Sequence, residues 1–251
     1  LVSAITNVAL DHQNILGNTV EEIATEKAGI IKKNTVIISG DENEKVKSII
    51  RNKAAENNSD WVDATIINVK LPSDLKGNYQ QKNIKVVLAV IDELRNLGME
   101  IPAEKVKSGL LNVQQNTGFI GRWFEFSRDP LIICDTGHNQ AGLEEVFAQL
   151  NALPEHKHII LGFVKDKKID EVLRILPQNS TYYFAKPYVN RGRHPKDYED
   201  LLKKSKISYK IFDEVQQAYL SAKQNIKNGE IIFIGGSNFV VGEFLEKNLQ
   251  K

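Results

Sequence analysis

This chain has almost no sulfur, no long apolar stretch and no excess of either charge. Its 251 residues include one methionine and one cysteine, Cys134. A lone cysteine cannot close an internal disulfide. A disulfide-stapled secreted domain is therefore excluded, and a reducing, cytoplasmic compartment fits. No apolar run approaches the roughly 18 residues of a membrane span, and no signal-peptide pattern opens the chain. Thirty-three Lys and Arg against 32 Asp and Glu leave a net charge of +1. That balance gives no electrostatic reason to expect nucleic acid or an anionic membrane. A Gly-x-x-x-x-Gly-Lys-Ser/Thr phosphate loop is also lacking. Leu1 is not an initiator and reads straight into a strand pattern, so a piece of a longer chain is expected, and an ATP-type reading must account for the phosphate loop.

What is present is ordinary for a globular protein: 41% apolar and 26% charged residues. The length suits one large or two medium domains. Leu1–Leu10 reads as a strand. Thr19-Val20-Glu21-Glu22 is a capping box, so a short helix is expected over Val20–Ala28 with Gly29 as its C′ residue. A strand over Thr35–Ser39, an amphipathic helix over Glu44–Glu56 and a strand over Val62–Val69 follow. Ile84, Val87, Leu88, Ile91 and Leu94 recur at helical spacing, which predicts a long helix over Gln80–Leu97. Pro102–Leu111 reads as one more helix. Gln114-Gln115-Asn116-Thr117-Gly118 is polar and turn-rich, and the domain boundary is placed there.

Beyond it the pattern turns regular. Strands are expected at Leu131–Cys134, His158–Leu161, Tyr182–Ala185, Tyr209–Phe212 and Ile231–Ile234. Helices are expected at about Leu143–Leu150, Ile169–Leu176, Pro195–Lys204, Val215–Ile226 and Phe239–Asn248. Strand alternating with helix predicts an α/β fold with a mostly parallel sheet covered on both faces.

Several short blocks carry possible chemistry. Asp11-His12 follows a strand and precedes a loop, where α/β folds gather ligands. Read alone, His12 is a hydrogen-bonded loop histidine and Lys27 a surface lysine in the last turn of a helix, favoured by the helix dipole. Asn78 reads as an N-cap, and the Asn83 amide could pair with an adenine edge. Arg122 offers a planar cationic fork suited to phosphate. Asp135 ends an apolar strand, and Asp135-Thr136-Gly137 alone reads as a turn. Lys165-Asp166-Lys167 reads as a solvated cluster. Gly235-Gly236-Ser237 reads as a tight turn with a serine cap. The basic run Asn190-Arg191-Gly192-Arg193-His194 receives no role.

Taken in order, these blocks mean more. They are Leu10-Asp11-His12-Gln13-Asn14-Ile15-Leu16-Gly17, Glu26-Lys27-Ala28-Gly29-Ile30-Ile31-Lys32, Gln80-x-x-Asn83, Gly121-Arg122 and Cys134-Asp135-Thr136-Gly137-His138-Asn139. Together they resemble the dihydrofolate synthase / folylpolyglutamate synthase family of ATP-dependent ligases, related to the Mur ligases. Thr136-Gly137 departs mildly from that family's usual residues.

The resemblance implies the back part of a two-domain ligase. Residues 1–118 would be the tail of the central ATPase domain, and residues 119–251 the Rossmann-like C-terminal domain. It implies joining of L-glutamate to dihydropteroate, folates or both, with ATP and two magnesium ions, in a protein that is a monomer when intact. This chain alone would be inactive. It makes His12 a metal ligand and Lys27 a carbamylated metal ligand. Lys27, His12 and His138 form the catalytic group. Asn83, Arg122, Asp135, His138 and Asn139 bear on the nucleotide, with Asp135 towards the ribose, so that one ATP would draw on both domains. Lys165 and Ser237 lie on the substrate side. The alternatives are a Mur-type peptide ligase and a non-catalytic nucleotide-binding module, and the sequence upstream of Leu1 would separate them.

Overall fold

The structure is a computed structural model that describes residues 1–165 and 167–249. Its contacts divide the chain into two compact units. One comprises Leu1–Asp74 and Asn78–Phe119, the other Leu75–Gly77 and Ile120–Lys251.

The first unit is built on three parallel strands in the order β1 (Ser3–Ile5), β2 (Ile37–Ser39), β3 (Trp61–Asp63). Between β1 and β2 lie α1 (Gln13–Leu16) and α2 (Val20–Ala28), and between β2 and β3 lies α3 (Glu44–Glu56). α4 (Gln80–Asn96), α5 (Ala103–Leu111) and α6 (Val113–Thr117) follow. Burial comes from both faces of the sheet. Ile5, Ile37, Ile23, Val46 and Ile50 pack on one side. Ile38, Ala64, Val86 and Ala89 pack on the other. The long helix forms as the periodicity predicted, but its buried face differs from the one read. Of Ile84, Val87, Leu88, Ile91 and Leu94 only Ile84 is buried, Val87 is exposed, and Val86 and Ala89 pack on the sheet instead.

The strands are shorter than the apolar runs suggest. β1 stops at Ile5, because the next residues bond out of the sheet: the Val8 N–H donates to Asp41 Oδ2 at 2.6 Å. β3 stops at Asp63, whose Oδ1 accepts from Thr65 N–H at 2.9 Å and from the Thr65 hydroxyl at 2.6 Å. That cap turns the chain into a 3₁₀ turn over Ala64–Ile66. The Thr19–Glu22 capping box forms as read. Gly29 does not adopt the left-handed C′ conformation, since its φ is −58°. α2 instead unwinds through tighter bonds, Gly29 N–H to Glu26 C=O and Ile30 N–H to Lys27 C=O. The 114–118 segment, read as a turn, is mostly the short helix α6. Asp74 Oδ2 accepts from the Gln114 N–H at its first turn, and the Thr117 hydroxyl donates to Val113 C=O.

The second unit is a six-stranded sheet in the order β4-β5-β9-β6-β7-β8. Its strands are β4 (Phe124–Arg128), β5 (Leu131–Cys134), β6 (Lys157–Leu161), β7 (Ser180–Ala185), β8 (Ser208–Phe212) and β9 (Ile231–Gly235). All pairs are parallel except β4 with β5. α7 (Gln140–Asn151), α8 (Ile169–Arg174), α9 (Glu199–Ser205), α10 (Val215–Asn225) and α11 (Asn238–Asn248) supply the cover. The chain is α/β with a mostly parallel sheet, as the alternation of elements required. The central strand β9 is buried at every residue, which explains its unbroken apolar run. β4 went unread because its signal is an alternation, Phe124 and Phe126 inward with Glu125 between, at an antiparallel edge. Phe126 meets Phe244 edge-on, with ring centroids 4.8 Å apart.

Candidate functional site

In the first unit the candidate residues stand at the carboxyl end of the parallel strands. The chain leaves β1, passes Asn7 and Val8, and reaches Asp11-His12. His12 holds a left-handed conformation, with φ 50° and ψ 36°. Its N–H donates to Asp11 Oδ1 at 2.9 Å, and its ring lies 3.8 Å from Asp11 Oδ2. The imidazole is 64% exposed, so it faces solvent and not the core. Lys27, in the last turn of α2, turns back towards the same loop. Its Nζ donates to Asn7 C=O at 3.0 Å. The sequence spacing of His12 and Lys27 is therefore realised as two side chains on one loop and the helix behind it.

The loop is also gripped from β2. The Gly40 N–H donates to Ile5 C=O at 2.9 Å. A Cβ on Gly40 would sit 2.7 Å from Thr6 O and 2.4 Å from Val86 Cγ2, so only glycine allows this approach. Asp41 is 5% exposed. Asp41 Oδ2 holds Val8, and Oδ1 accepts from the Asn43 N–H at 2.8 Å. The sequence reading passed over Asp41. Its signal was a carboxylate directly after a strand end and a glycine, ahead of a helix cap.

Among the described residues no three His, Cys, Asp or Glu side chains converge to hold an ion. His12 with Lys27 is short of a magnesium site: one is an exposed imidazole, the other a nitrogen donating to a carbonyl. Magnesium favours oxygen donors in octahedral order. These two residues do not fit the ion by themselves.

Asn83 lies in the first turn of α4. Its Nδ2 donates to Oε1 of the buried Gln80 at 2.8 Å, so the two residues of the Gln-x-x-Asn signature form one pair. Asn78 precedes the N-cap position of this helix. Tyr79 occupies the N-cap position without a side-chain bond, and Asn78 contributes its C=O to the Gln81 N–H.

In the second unit the Gly121-Arg122-Trp123 turn and the Asp135-Thr136-Gly137 loop are clasped together. Asp135 is 1% exposed. Its Oδ2 accepts from the Trp123 N–H at 2.7 Å, and its Oδ1 from the Gly137 N–H at 2.8 Å. Thr136 bonds twice to Gly121 C=O, through N–H at 2.9 Å and hydroxyl at 3.0 Å. Gly121 and Trp123 both have positive φ, 88° and 46°. A non-glycine residue in that region costs energy, and the Asp135 bond to Trp123 N–H stabilises it. Between them Arg122 is 35% exposed, with Nη1 3.9 Å from Asp135 Oδ1. Its guanidinium is thus aimed by the clasp and reachable from solvent.

His138 Nδ1 lies 3.1 Å from Thr136 C=O. A carbonyl only accepts, so the proton sits on Nδ1. Asn139 caps α7, its Oδ1 accepting from the Gly142 N–H at 2.8 Å. Ser237 is buried and caps α11, accepting from the Phe239 N–H at 3.1 Å. Cys134, next to Asp135, is buried too; burial and then the neighbouring carboxylate push its thiol up, so it stays protonated. Lys165 is exposed, and its N–H donates to Arg191 C=O at 2.9 Å. Asp166 of the Lys-Asp-Lys loop lies outside the described residues. The basic run assigned no role turns out to cross-link that loop. Arg193 N–H donates to Phe163 C=O, and the Arg191 guanidinium lies over the Phe239 ring at 5.1 Å.

Of the expected residues, the structure brings together Gln80 with Asn83 and Arg122 with Asp135, while Lys27 reaches the loop that carries His12 at Asn7. Asp135 accepts from backbone N–H groups of the Gly121-Arg122-Trp123 turn and of its own loop, and Asn139 from one in the first turn of α7. Thr136 and Trp123 belong to the clasp and were not expected.

Residues 121–238 match the family described as Mur ligase, glutamate ligase domain. Over 97% of its length the chain is 24% identical to a probable bifunctional folylpolyglutamate synthase/dihydropteroate synthase of Haloferax volcanii, of which it spans 31%. Over 98% of its length it is 27% identical to the dihydrofolate synthase/folylpolyglutamate synthase of Escherichia coli, of which it spans 59%. A solved structure, E. coli FolC in complex with DHPP and ADP, superposes with a TM-score of 0.81 at 24% identity, over 98% of this chain and 61% of that one. That likeness carries the fold.

Proposed function

We propose that this chain belongs to the dihydrofolate synthase / folylpolyglutamate synthase family, within the Mur ligases, and that the whole protein is an ATP-dependent ligase that joins L-glutamate to dihydropteroate, to folates or to both. The supporting observation in the structure is the loop after β1. It gathers Asp11, His12 and the Lys27 amine at the carboxyl end of a parallel sheet, the position where α/β folds bind ligands. ATP and a divalent ion are carried over from solved relatives, one of which binds Mn, AMPPNP and L-glutamate. In the whole protein a magnesium ion would neutralise phosphate charge; His12 and a carbamylated Lys27 would supply two of its ligands, and oxygen donors from outside this pair the rest. A cytoplasmic site of action belongs to the same proposal. No helix among the described residues is long and apolar enough to cross a membrane.

The proposed reaction has two steps. A carboxylate oxygen of the pteroyl substrate attacks the γ-phosphorus of ATP, and ADP leaves, giving an acyl phosphate. The glutamate amine then adds to the acyl carbon, loses a proton, and expels phosphate. In this chain Arg122 would lay its fork on phosphate oxygens, and Asn83 would bear on the nucleotide. Asp135 would act by holding Arg122 and the turn beside it. His138 and Asn139 would border the same ligand, and Lys165 and Ser237 its substrate side.

The test is turnover by the whole protein with ATP, Mg²⁺, L-glutamate and dihydropteroate or tetrahydrofolate, read as phosphate release and as product mass. Glutamate-dependent addition is expected. Arg122→Ala should lower kcat/KM by roughly tenfold or more, about 1.4 kcal/mol of transition-state stabilisation. Ligation to a UDP-muramoyl peptide instead would move the protein to the peptide-ligase branch.

A further inference from the structure

The three residues that follow β2, Gly40-Asp41-Glu42, hold the surroundings of the candidate site in the first unit. Gly40 lets the chain pass against Thr6 O on one side and Val86 of α4 on the other. Glu42 reaches Lys82, the neighbour of Asn83, at 3.3 Å. Between them Asp41 is buried and bonds two backbone N–H groups from separate elements, Val8 at 2.6 Å and Asn43 at 2.8 Å. A buried carboxylate is tolerated only where donors satisfy it, and charge-assisted bonds of this kind are the strong ones.

The bond to Val8 spans 33 residues of sequence. It falls midway along the loop, between Asn7, which receives the Lys27 Nζ, and Asp11, which anchors the His12 N–H. Val8 itself is in the core, so its backbone is fixed from both sides, by packing and by Asp41. α1, which follows His12, is only four residues long and has no side-chain cap. A helix that short contributes little order of its own. The position of Asp11-His12 is therefore set from the β1 side.

We propose that Asp41 is a positioning residue for the ligase reaction: its hold on Val8 sets the loop on which Asn7, Asp11 and His12 stand, and so the place of His12 relative to Lys27. The role rests on the ligase reading of the same site. Glu42 adds little. Its carboxylate and the Lys82 ammonium are mostly exposed, and exposed pairs contribute weakly.

Asparagine separates shape from bonding. It keeps the volume of Asp41 but offers one acceptor, so its amide N–H₂ must confront either Val8 or Asn43 N–H. In the whole protein, Asp41→Asn should lower kcat at least tenfold and leave KM for ATP within twofold. Amide exchange at Val8 should rise at least tenfold, and the His12 ring resonances should shift. Glu42→Gln should stay within twofold of wild type. Ile50→Val is the stability control: it trims the core without touching Asp41 or its two partners, and its kcat should stay within twofold although its Tm falls. If kcat declines in both Asp41→Asn and Ile50→Val in proportion to lost Tm, Asp41 is merely structural and the proposal is overturned. Unchanged Val8 exchange in Asp41→Asn overturns it as well. Should Asp41→Asn not fold, Asp41→Glu, which keeps two acceptor oxygens, carries the test, with Val8 protection and kcat expected to fall together. Wild-type protein that does not ligate sinks the ligase reading; Val8 exchange then decides separately whether Asp41 holds the loop.

Discussion

The loop after β1 and the Arg122–Asp135 clasp use the same kinds of residue in opposite ways. At the loop, His12 is mostly exposed and the Lys27 amine donates to a backbone carbonyl. At the clasp, Asp135 is sealed from solvent and both its oxygens hold N–H groups of a turn with two left-handed residues. A side chain in water can be redirected to a ligand at low cost. A buried carboxylate with its lone pairs engaged cannot, because releasing an N–H leaves that donor unsatisfied. Motif residues thus divide into those that can meet substrate and those that shape the backbone around it, and burial draws the line.

Substitution at each end of the comparison should separate activity from stability. Lys27→Ala is expected to abolish turnover by the whole protein, while urea unfolding shows a loss of about 1 kcal/mol or less, the net worth of one exposed hydrogen bond. Full activity in Lys27→Ala would remove the lysine from the chemistry. Asp135→Ala should do the reverse in kind. It strands the Trp123 and Gly137 N–H groups, each costing roughly 1–3 kcal/mol, so a loss of about 2–5 kcal/mol is expected. A variant as stable as wild type but inactive would break the comparison, because Asp135 would then be a ligand residue after all.

A third measurement sharpens the point that burial, not the unit, decides. Lys47 and Asp63 form a mostly buried pair in the first unit at 3.1 Å. Burial pushes the Asp63 carboxyl up, but the Thr65 hydroxyl and N–H and the Lys47 ammonium outweigh it and hold it below its ordinary 3.8. The Asp63 and Glu44 bonds raise Lys47 above its ordinary 10.5. A depressed acid stabilises above its unfolded value and loses that contribution as pH falls through the folded one. A raised base does so below its unfolded value and loses it as pH rises through the folded one. The pair therefore contributes fully between about 3.8 and 10.5. Asp63→Asn should cost about 1–2 kcal/mol near neutrality. The gap from wild type should shrink as pH drops below 3.8, followed by urea unfolding across pH. A gap independent of pH would mean that shape and not charge holds this junction.

Particular residues show how far the chain could be read. The Thr19–Glu22 capping box was legible because all its partners lie within one turn. β9 was legible because its apolar run is local and unbroken; the extent of α4 was legible too, but not its inward face, which Val86 and Ala89 share with Ile84. The shortened β1 and β3 were not, since the acceptors that end them, Asp41 and Asp63, compete with the sheet through bonds that apolar patterning does not register. Lys27 could be picked out by spacing, yet nothing in the spacing says that its Nζ turns to Asn7.

The sequence by itself determined the α/β class, most of the strands and helices along the chain (α1, α6 and β4 excepted), and the blocks that resemble the ligase family, since each depends on residues near one another. Only the tertiary structure decided which of those residues are spent. Asp135, Asn139 and Ser237 became backbone acceptors, Asp41 became an anchor, and His12 stayed in solvent. The physical reason is that a polar side chain takes its role from the donors the fold brings within about 3 Å, and for Asp41 the Val8 donor lies 33 residues away along the chain.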